Sequence, residues 1–230
     1  MAATESFAKN KYRFYLCSNP NCTLRFPAPI EPGSGSLPCP RCKSPARPTP
    51  TADEVAVHNP RQERAPDSTC LEVLLDNIRS TFNVGAMLRT ADGAGVNHVH
   101  LTGITPQPTN PCIAKVSLGA EFAVPWTYHP NGLSVIQEAK NRGLRILGLE
   151  ILPGATSLFD LTADTLSLPT LLVVGNEVSG IDTEIEAMCY QHIWIPMQGY
   201  KRSLNVAVAF GITIYTLRYG LSAVISDKIA

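Results

Sequence analysis

Residues 195–217 read IPMQGYKRSLNVAVAFGITIYTL. The first three close an apolar run, HIWIPM (192–197), and residues 204–217 are almost wholly apolar. Between them the polar loop 198–203 holds a glycine, a tyrosine and two cations, Lys201 and Arg202. The pattern predicts a strand, a loop and a helix, with Ser203 as a helix-capping candidate and Asn205 in the first turn. A helix apolar on several faces is ordinarily buried core. The polar loop that introduces it sets this one apart. The run is too short and too polar to span a bilayer, which takes about 20 apolar residues.

Upstream, short apolar runs alternate with helical patterns. LEVLLDN (71–77), HVHLTG (98–103), PWTYH (125–129), RILGLEI (145–151), TLLVVGNE (170–177) and HIWIPM read as strands. VGAMLRTADGAG (84–95), LSVIQEAKNRG (133–143), DTEIEAMC (182–189) and SLNVAVAFGITIYTLRYG (203–220) read as helices, with Asp182 a plausible cap. Such alternation predicts an α/β domain: a mostly parallel sheet with helices on both faces. Ligands of such sheets bind beyond the carboxyl ends of the strands. Three of those ends carry polar and glycine-rich sequence: DNIRSTFNVGAMLR (76–89), GNEVSGID (175–182) and the stretch quoted first.

Several chemistries are excluded. There is no phosphate-binding G-x-x-x-x-G-K-[ST], no H-E-x-x-H and no G-x-S-x-G. DGAGVNHV (92–99) has glycines of a dinucleotide turn but follows a helix where a strand is required. His98 and His100, two apart on a strand, read as a half-buried face, not a metal pair. Cys70, Cys112 and Cys189 are scattered and read as small buried side chains.

The first fifty residues are different. They hold seven Lys/Arg and two Asp/Glu, a balance of +5, against −5 for the remainder, so the net charge is zero. That asymmetry points to a polyanion partner for the N-terminal piece. Cys17 and Cys22, then Cys39 and Cys42, form a C-x4-C and a C-x2-C pair. Two pairs on tight turns place four thiolates around one Zn²⁺. No apolar secretory segment opens the chain, so paired disulfides are disfavoured and a cytoplasmic protein is expected. Cations interleave with Tyr12, Phe14, Tyr15 and Phe26, a composition suited to RNA contact or to a small core. The expected organisation is a zinc-ribbon-like RNA-binding module over 1–48, a Pro-rich linker over 49–68 and a main domain over 69–230.

The main domain resembles a known family. NVGAMLRTADGAGV (83–96), LLVVGNEVSGID (171–182) and IPMQGYKRSLNVAVAFGITIY (195–215) resemble motifs 1, 2 and 3 of the SpoU/TrmH RNA ribose 2′-O-methyltransferases. AKVSLGAEFAVPW (114–126) is similar to the segment that follows motif 1, and the match covers roughly 71–220. The resemblance implies the SPOUT fold, with a C-terminal trefoil knot, and a homodimer packed through the knot region. It implies transfer of a methyl group from S-adenosylmethionine to a ribose 2′-hydroxyl of tRNA or rRNA.

The same resemblance assigns residues. Arg89 would hold the RNA phosphate beside the target ribose and orient the hydroxyl; a guanidinium is a poor base. Asn83 would orient Arg89 or the ribose, or cap a helix. Glu177 would pair with Arg89 or other RNA-facing groups. Val174, Gly175, Asn176 and Gly180 would form the loop facing the cofactor, with Ile195, Met197, Ser203 and Leu204 opposite. Backbone groups of Ile195 and Leu204 would bond the adenine edge; Ser203 and Asn205 would point at the reacting end. Lys115, Ser117, Lys201 and Arg202 are candidates for RNA contact. Two other readings are a non-catalytic zinc-ribbon RNA-binding protein on a methyltransferase scaffold and a knotted RNA base methyltransferase. Arg89, Glu177, Ser203 and Asn205 are all present, which favours the enzyme.

Overall fold

Three antiparallel pairings build the N-terminal sheet. Strand β1 (Tyr12–Cys17) lies between β2 (Arg25–Pro29) and β4 (Pro45–Pro48), and β3 (Leu37–Pro38) pairs with the outer side of β4. This is a computed structural model, and it describes residues 12–29, 35–49 and 69–226. All but one residue of the expected linker 49–68 falls outside that range. The chain divides into two compact units, Met1–Gln62 and Glu63–Ala230. Composition groups Pro45 and Pro48 with the Pro-rich stretch, yet Ala46 pairs with both Cys17 and Leu37, which makes this segment a strand. Tyr15, Cys17, Cys39 and Ala46 are buried, and Tyr15 stacks on Phe26 at 6.1 Å between ring centres. Tyr15 is therefore core and unavailable for stacking on a base. On the opposite face Leu16 aligns with Arg25 on one side and Arg47 on the other, and all three are exposed.

The second unit continues with β5 (Leu71–Asp76), α1 (Thr81–Gly93), β6 (His98–Thr102), α2 (Pro111–Ser117), α3 (Ala120–Ala123), β7 (Trp126–His129), α4 (Gly132–Asn141) and β8 (Arg145–Leu149). There follow β9 (Thr156–Ser157), a 3-10 turn (Leu158–Asp160), α5 (Ala163–Leu166), β10 (Thr170–Val174), α6 (Thr183–Met188), β11 (Gln191–Trp194) and α7 (Val206–Ser226). All seven strands of this sheet are parallel, in the order β7-β6-β5-β10-β8-β11-β9. From Leu171 to Val174, β10 is apolar on both faces, as a doubly covered sheet requires, whereas β5 buries Glu72 and Asp76 beside Leu74 on one of its faces. Leu71, Val73, Leu75, Leu172 and Val174 face a core closed by Met87 and Leu88 of α1 and by Phe210 and Ile214 of α7. Leu74, Leu171 and Val173 face the other way, onto Val135, Ile136 and Ala139 of α4 and Ile185 of α6.

Helix boundaries differ from expectation in two informative places. Helix α1 is capped by Ser80, whose hydroxyl accepts the N–H of Asn83, so Asn83 is not the cap. Helix α7 starts at Val206, not Ser203, because the Asn205 side chain accepts the N–H groups of Ala207 (2.9 Å) and Val208 (3.4 Å). Strand β11 ends at Trp194, so 195–197 lie just past it. Gly85 is a packing glycine: a Cβ there would stand 2.8 Å from Cβ of Val116, at the contact of α1 with α2. Arg218 on α7 donates to three carbonyls, Ala94 (2.9 Å), Thr69 (2.8 Å) and Gly95 (2.8 Å). Cys112 is exposed, contrary to expectation, because its helix lies at the surface; Cys70 and Cys189 are partly buried.

His98 and His100 do form a half-buried face, with partners the sequence did not reveal. Glu72 is buried and takes two bonds from Arg142 (2.8 and 2.6 Å), and its Oε2 lies 3.0 Å from Nε2 of His100. Burial opposes its ionisation, but hydrogen bonds from His100 and Arg142 hold the carboxyl down at about 2. His98 Nε2, His129 Nε2 and His100 Nδ1 converge on the Thr127 hydroxyl at 3.0, 2.8 and 3.3 Å. Burial, followed by the neighbouring His100, lowers the pKa of both His98 and His129. The unfolded chain therefore binds more protons just below pH 6.5, so this stability is present above that pH and is lost as pH falls through the folded values. The Glu72 contribution is lost in a separate window, as pH falls from 4.5 toward about 2. The urea midpoint should drop between pH 7 and pH 5. A His98→Gln, His129→Gln double variant should flatten that drop, and an unchanged slope would rule out these two rings as its source.

Candidate active site

The site is built where β10, β8 and β11 end beneath the first turn of α7. A cleft of about 280 Å³ there is lined by Val174, Gly175, Asn176 and Glu177 from the β10 end, with Leu149, Glu150 and Ile151 from β8. The far wall is Trp194, Ile195 and Met197, and Ser203, Leu204, Asn205, Val206 and Ala209 close the top. The size is near the lower end of the roughly 300–1,000 Å³ usual for small-molecule sites.

Hydrogen bonds join the three polar strand ends around this cleft. The Glu177 carboxylate accepts from the N–H groups of Arg79 (2.9 Å) and Ser80 (3.3 Å) and from the Asn83 amide (2.9 Å). Asn83 in turn accepts from the Asn205 amide at 3.2 Å. Burial opposes ionisation of Glu177, but these N–H donors prevail and lower its pKa, keeping it a carboxylate at neutral pH. Asn176 holds the loop after β5 by donating to the Asn77 carbonyl at 2.7 Å, and its own Oδ1 accepts from Val178 and Ser179. Gly175 is obligatory: a Cβ there would run into the backbone of Gly180 and Ile181. Gly180 exchanges two backbone bonds with Asn176 at 2.9 and 3.0 Å.

Of the residues expected in the site, Val174, Gly175, Asn176, Glu177, Ile195, Met197, Ser203, Leu204 and Asn205 line the cleft. Asn83 sits behind it through Glu177 and Asn205, and Gly180, expected to face the cofactor, is outside the lining and bonded to Asn176. Arg89 is exposed on α1, outside the lining. Six residues of helix turn it about 120° away from Asn83. The expected pairing of Glu177 with Arg89 is not among the described contacts; Asn83 and two backbone N–H groups take that place. Ser117 does not face solvent: it is buried, bonded to the Ile113 carbonyl (3.0 Å) and to Glu121 (2.5 Å). Lys115, Lys201 and Arg202 are exposed. Leu149, Glu150, Ile151, Trp194, Val206 and Ala209 were not anticipated. The strand-end rule applied to RILGLEI would have found the first three.

In the N-terminal unit the four expected cysteines do come together. Every Sγ of Cys17, Cys22, Cys39 and Cys42 lies within 4.8 Å of the others, with Cys17–Cys42 at 3.4 Å and Cys22–Cys39 at 3.8 Å. Four sulfurs around a tetrahedral ion with bonds of about 2.3 Å would lie about 3.8 Å apart, so the cluster fits zinc. The two knuckles use one turn despite their different spacing. Thr23 and Lys43, each just after the second cysteine, have φ of +48° and +62°, and each N–H closes back on a carbonyl, of Asn19 and of Cys39. Hydrogen bonds from Ser44 pull the Cys42 thiol down to about 6, whereas burial pushes the neighbouring Cys17 thiol up to about 12, so the fit to a metal rests on the sulfur geometry.

A wholly parallel, doubly covered sheet with a cleft beyond the carboxyl ends of three strands defines an α/β protein with a candidate ligand site where such folds place one. Its place within that class follows from sequence: the chain belongs to the SpoU rRNA Methylase family, whose model matches residues 70–215. It is 32% identical over 171 residues to the 23S rRNA (guanosine(2553)-2′-O)-methyltransferase RlmP of Bacillus subtilis (strain 168), covering 74% of this chain and 66% of that protein. A TrmH-family protein of Staphylococcus haemolyticus is 34% identical over 143 residues, 62% of this chain and 56% of its own length. The chain thus spans just under two thirds, or less, of these relatives. Among solved structures, the AdoMet-bound rRNA methyltransferase from Sinorhizobium meliloti superposes with a TM-score of 0.62 at 29% identity, covering 68% of this chain and 58% of that one. The SpoU methyltransferase AviRb from Streptomyces viridochromogenes, in complex with AdoMet, gives 0.61 at 25% identity, covering 81% and 70%. The motif resemblance is borne out as to family. Among the described residues no helix is long and apolar enough to cross a membrane.

Proposed function

We propose that this chain transfers a methyl group from S-adenosylmethionine to a ribose 2′-hydroxyl of tRNA or rRNA. The observation that carries the reading is the Glu177–Asn83–Asn205 link, which ties all three motifs to one cleft. The cofactor supplies an electrophilic methyl group on a sulfonium. Ile195 and Leu204 offer backbone groups to the adenine edge, while Val174 and Met197 provide apolar walls. Asn205 and Ser203 stand at the reacting end, positioned from behind by Asn83 and Glu177. Arg89, exposed and outside the cleft, is suited to gripping the RNA phosphate and so aligning the hydroxyl. Its guanidinium is suited to orienting the hydroxyl, since its intrinsic pKa makes it a poor base.

The N-terminal unit serves as an RNA-holding module on a structural zinc. Its described residues carry Arg13, Arg25, Arg41, Lys43 and Arg47 and no acidic residue, a charge pattern complementary to phosphate. Two copies pack across α7, where Val208, Tyr215 and Tyr219 are exposed apolar surface, and residues 195–217 thread the knot implied by family likeness. A cytoplasmic location suits these substrates.

The test uses a labelled methyl donor with unmodified tRNA and rRNA. Label should appear in dinucleotides that resist alkali and nuclease, because a 2′-O-methyl group blocks cleavage of the adjacent phosphodiester. Label on a base would favour base methylation. Cofactor binding without transfer to either RNA class would favour the non-catalytic reading.

A further inference from the structure

Glu150 lines the cleft but takes no part in the link that joins Glu177, Asn83 and Asn205. Its Oε1 accepts the N–H of the adjacent Ile151 at 3.1 Å, and no cation among the described residues forms an ion pair with it. Its backbone is fixed, since its N–H donates to the Ile193 carbonyl at 3.0 Å. Gly180, with φ +77°, makes room for the side chain: a Cβ at that position would stand 2.7 Å from Oε2 of Glu150. The cleft therefore holds two carboxylates of different kinds. Glu177 has its acceptor sites filled by three N–H donors, whereas Glu150 keeps acceptor capacity for a ligand.

Strand order places that capacity along the ligand. β8 lies between β10 and β11, so the Glu150 end of β8 stands between Ile195 beyond β11 and Glu177 beyond β10. From one end of the cleft to the other, a ligand meets the Ile195 backbone, then Glu150, then the Asn205–Asn83–Glu177 link. S-adenosylmethionine has three parts in the matching order: adenine, ribose and sulfonium. The ribose presents two neighbouring hydroxyl donors, and an acidic side chain is the usual partner of such hydroxyls. Charge-assisted bonds of this type are the stronger class.

We propose that Glu150 is a specificity-determining residue that reads the cofactor ribose, accepting hydrogen bonds from its 2′- and 3′-hydroxyls. The inference rests on the assignment of the cleft to S-adenosylmethionine made above.

The experiment is calorimetric titration of the full chain with S-adenosylmethionine, S-adenosylhomocysteine, and the 2′-deoxy and 3′-deoxy forms of the latter. Wild type should lose about 10- to 100-fold in affinity when either hydroxyl is removed, the size of one hydrogen bond to a charged group. Glu150→Ala should bind S-adenosylhomocysteine weaker by a similar factor and no longer distinguish the deoxy forms. Glu150→Gln, isosteric and still an acceptor, should fall between them and carries the test if the alanine variant does not fold. Indifference of wild type to the hydroxyls, or full discrimination in both variants, would overturn the proposal. A loss confined to S-adenosylmethionine would also overturn it, since it would mean that the carboxylate serves the sulfonium charge. Failure of wild type to bind any of the four would sink the cofactor assignment itself, a result distinct from the others.

Discussion

Glu177→Ala is expected to cut kcat/KM for methyl transfer by about 10²–10³-fold, a loss of roughly 3–4 kcal/mol of transition-state stabilisation. The carboxylate holds Arg79, Ser80 and Asn83 at once, and Asn83 is the sole described bridge to Asn205. Removing it frees the turn ahead of α1 and lets the Asn83 amide rotate, so the reacting end loses its alignment. Stability should suffer far less, by about 1 kcal/mol, because Glu177 is exposed and water can satisfy the freed N–H groups. Glu177→Gln keeps the shape but replaces one acceptor oxygen with a donor, so it should lose nearly as much activity. Single-turnover transfer, cofactor titration and thermal melting separate these effects. Equal losses in cofactor affinity and in transfer would show that Glu177 merely lines the cleft.

Removing the metal should unfold the N-terminal unit and leave the second unit intact. The buried apolar residues described in the first unit are Tyr15, Cys17, Cys39 and Ala46, two of them thiol ligands. So small a core cannot offset the conformational entropy of the 33 residues described in this unit. Structural zinc contributes about 10–16 kcal/mol in comparable small domains, and its free energy is folding free energy. A Cys39→Ser, Cys42→Ser variant should fall from about one zinc per chain to none and lose the dispersed amide signals of β1 to β4. Cofactor affinity should be unaffected, because the cleft lies wholly in the second unit. RNA affinity should fall and become less salt-dependent as an ordered set of cations is lost. A variant with normal amide dispersion and no bound metal would refute the structural role.

Those two units were legible in the sequence for different reasons. Paired cysteines mark the first, because four sulfurs that converge within 4.8 Å come from short spacings on tight turns. The second is marked by three local motifs, and each proved to line or support one cleft. What stayed hidden is whatever depends on strand order. Nothing in RILGLEI shows that β8 will lie between β10 and β11, so the strand-end rule marks Glu150 as a candidate without placing it between the other two loops. Local capping was also misassigned. Ser203 and Asn83 are both residue types that cap helices, but Asn205 and Ser80 sit where the backbone turns, and only the fold decides between near neighbours. His98 and His100 were read correctly as a strand face, whereas their link through Thr127 and Glu72 spans three strands. Ser117, taken for a surface residue, is withdrawn into the α2–α3 turn by Glu121.

The clamp made by Arg218 bears on the order in which the chain can fold. Its guanidinium holds carbonyls at Thr69, Ala94 and Gly95, and the first of these lies 149 residues earlier. During synthesis the opening strand of the second unit therefore waits for a residue made near the end of it. Until α7 arrives, the apolar side of β5 and β10 that it covers stands open to solvent. Contacts of such long sequence separation slow folding and lengthen the exposure of sticky surface. The clamp can close, and that side of the sheet can be covered, only once α7 has been made and docked.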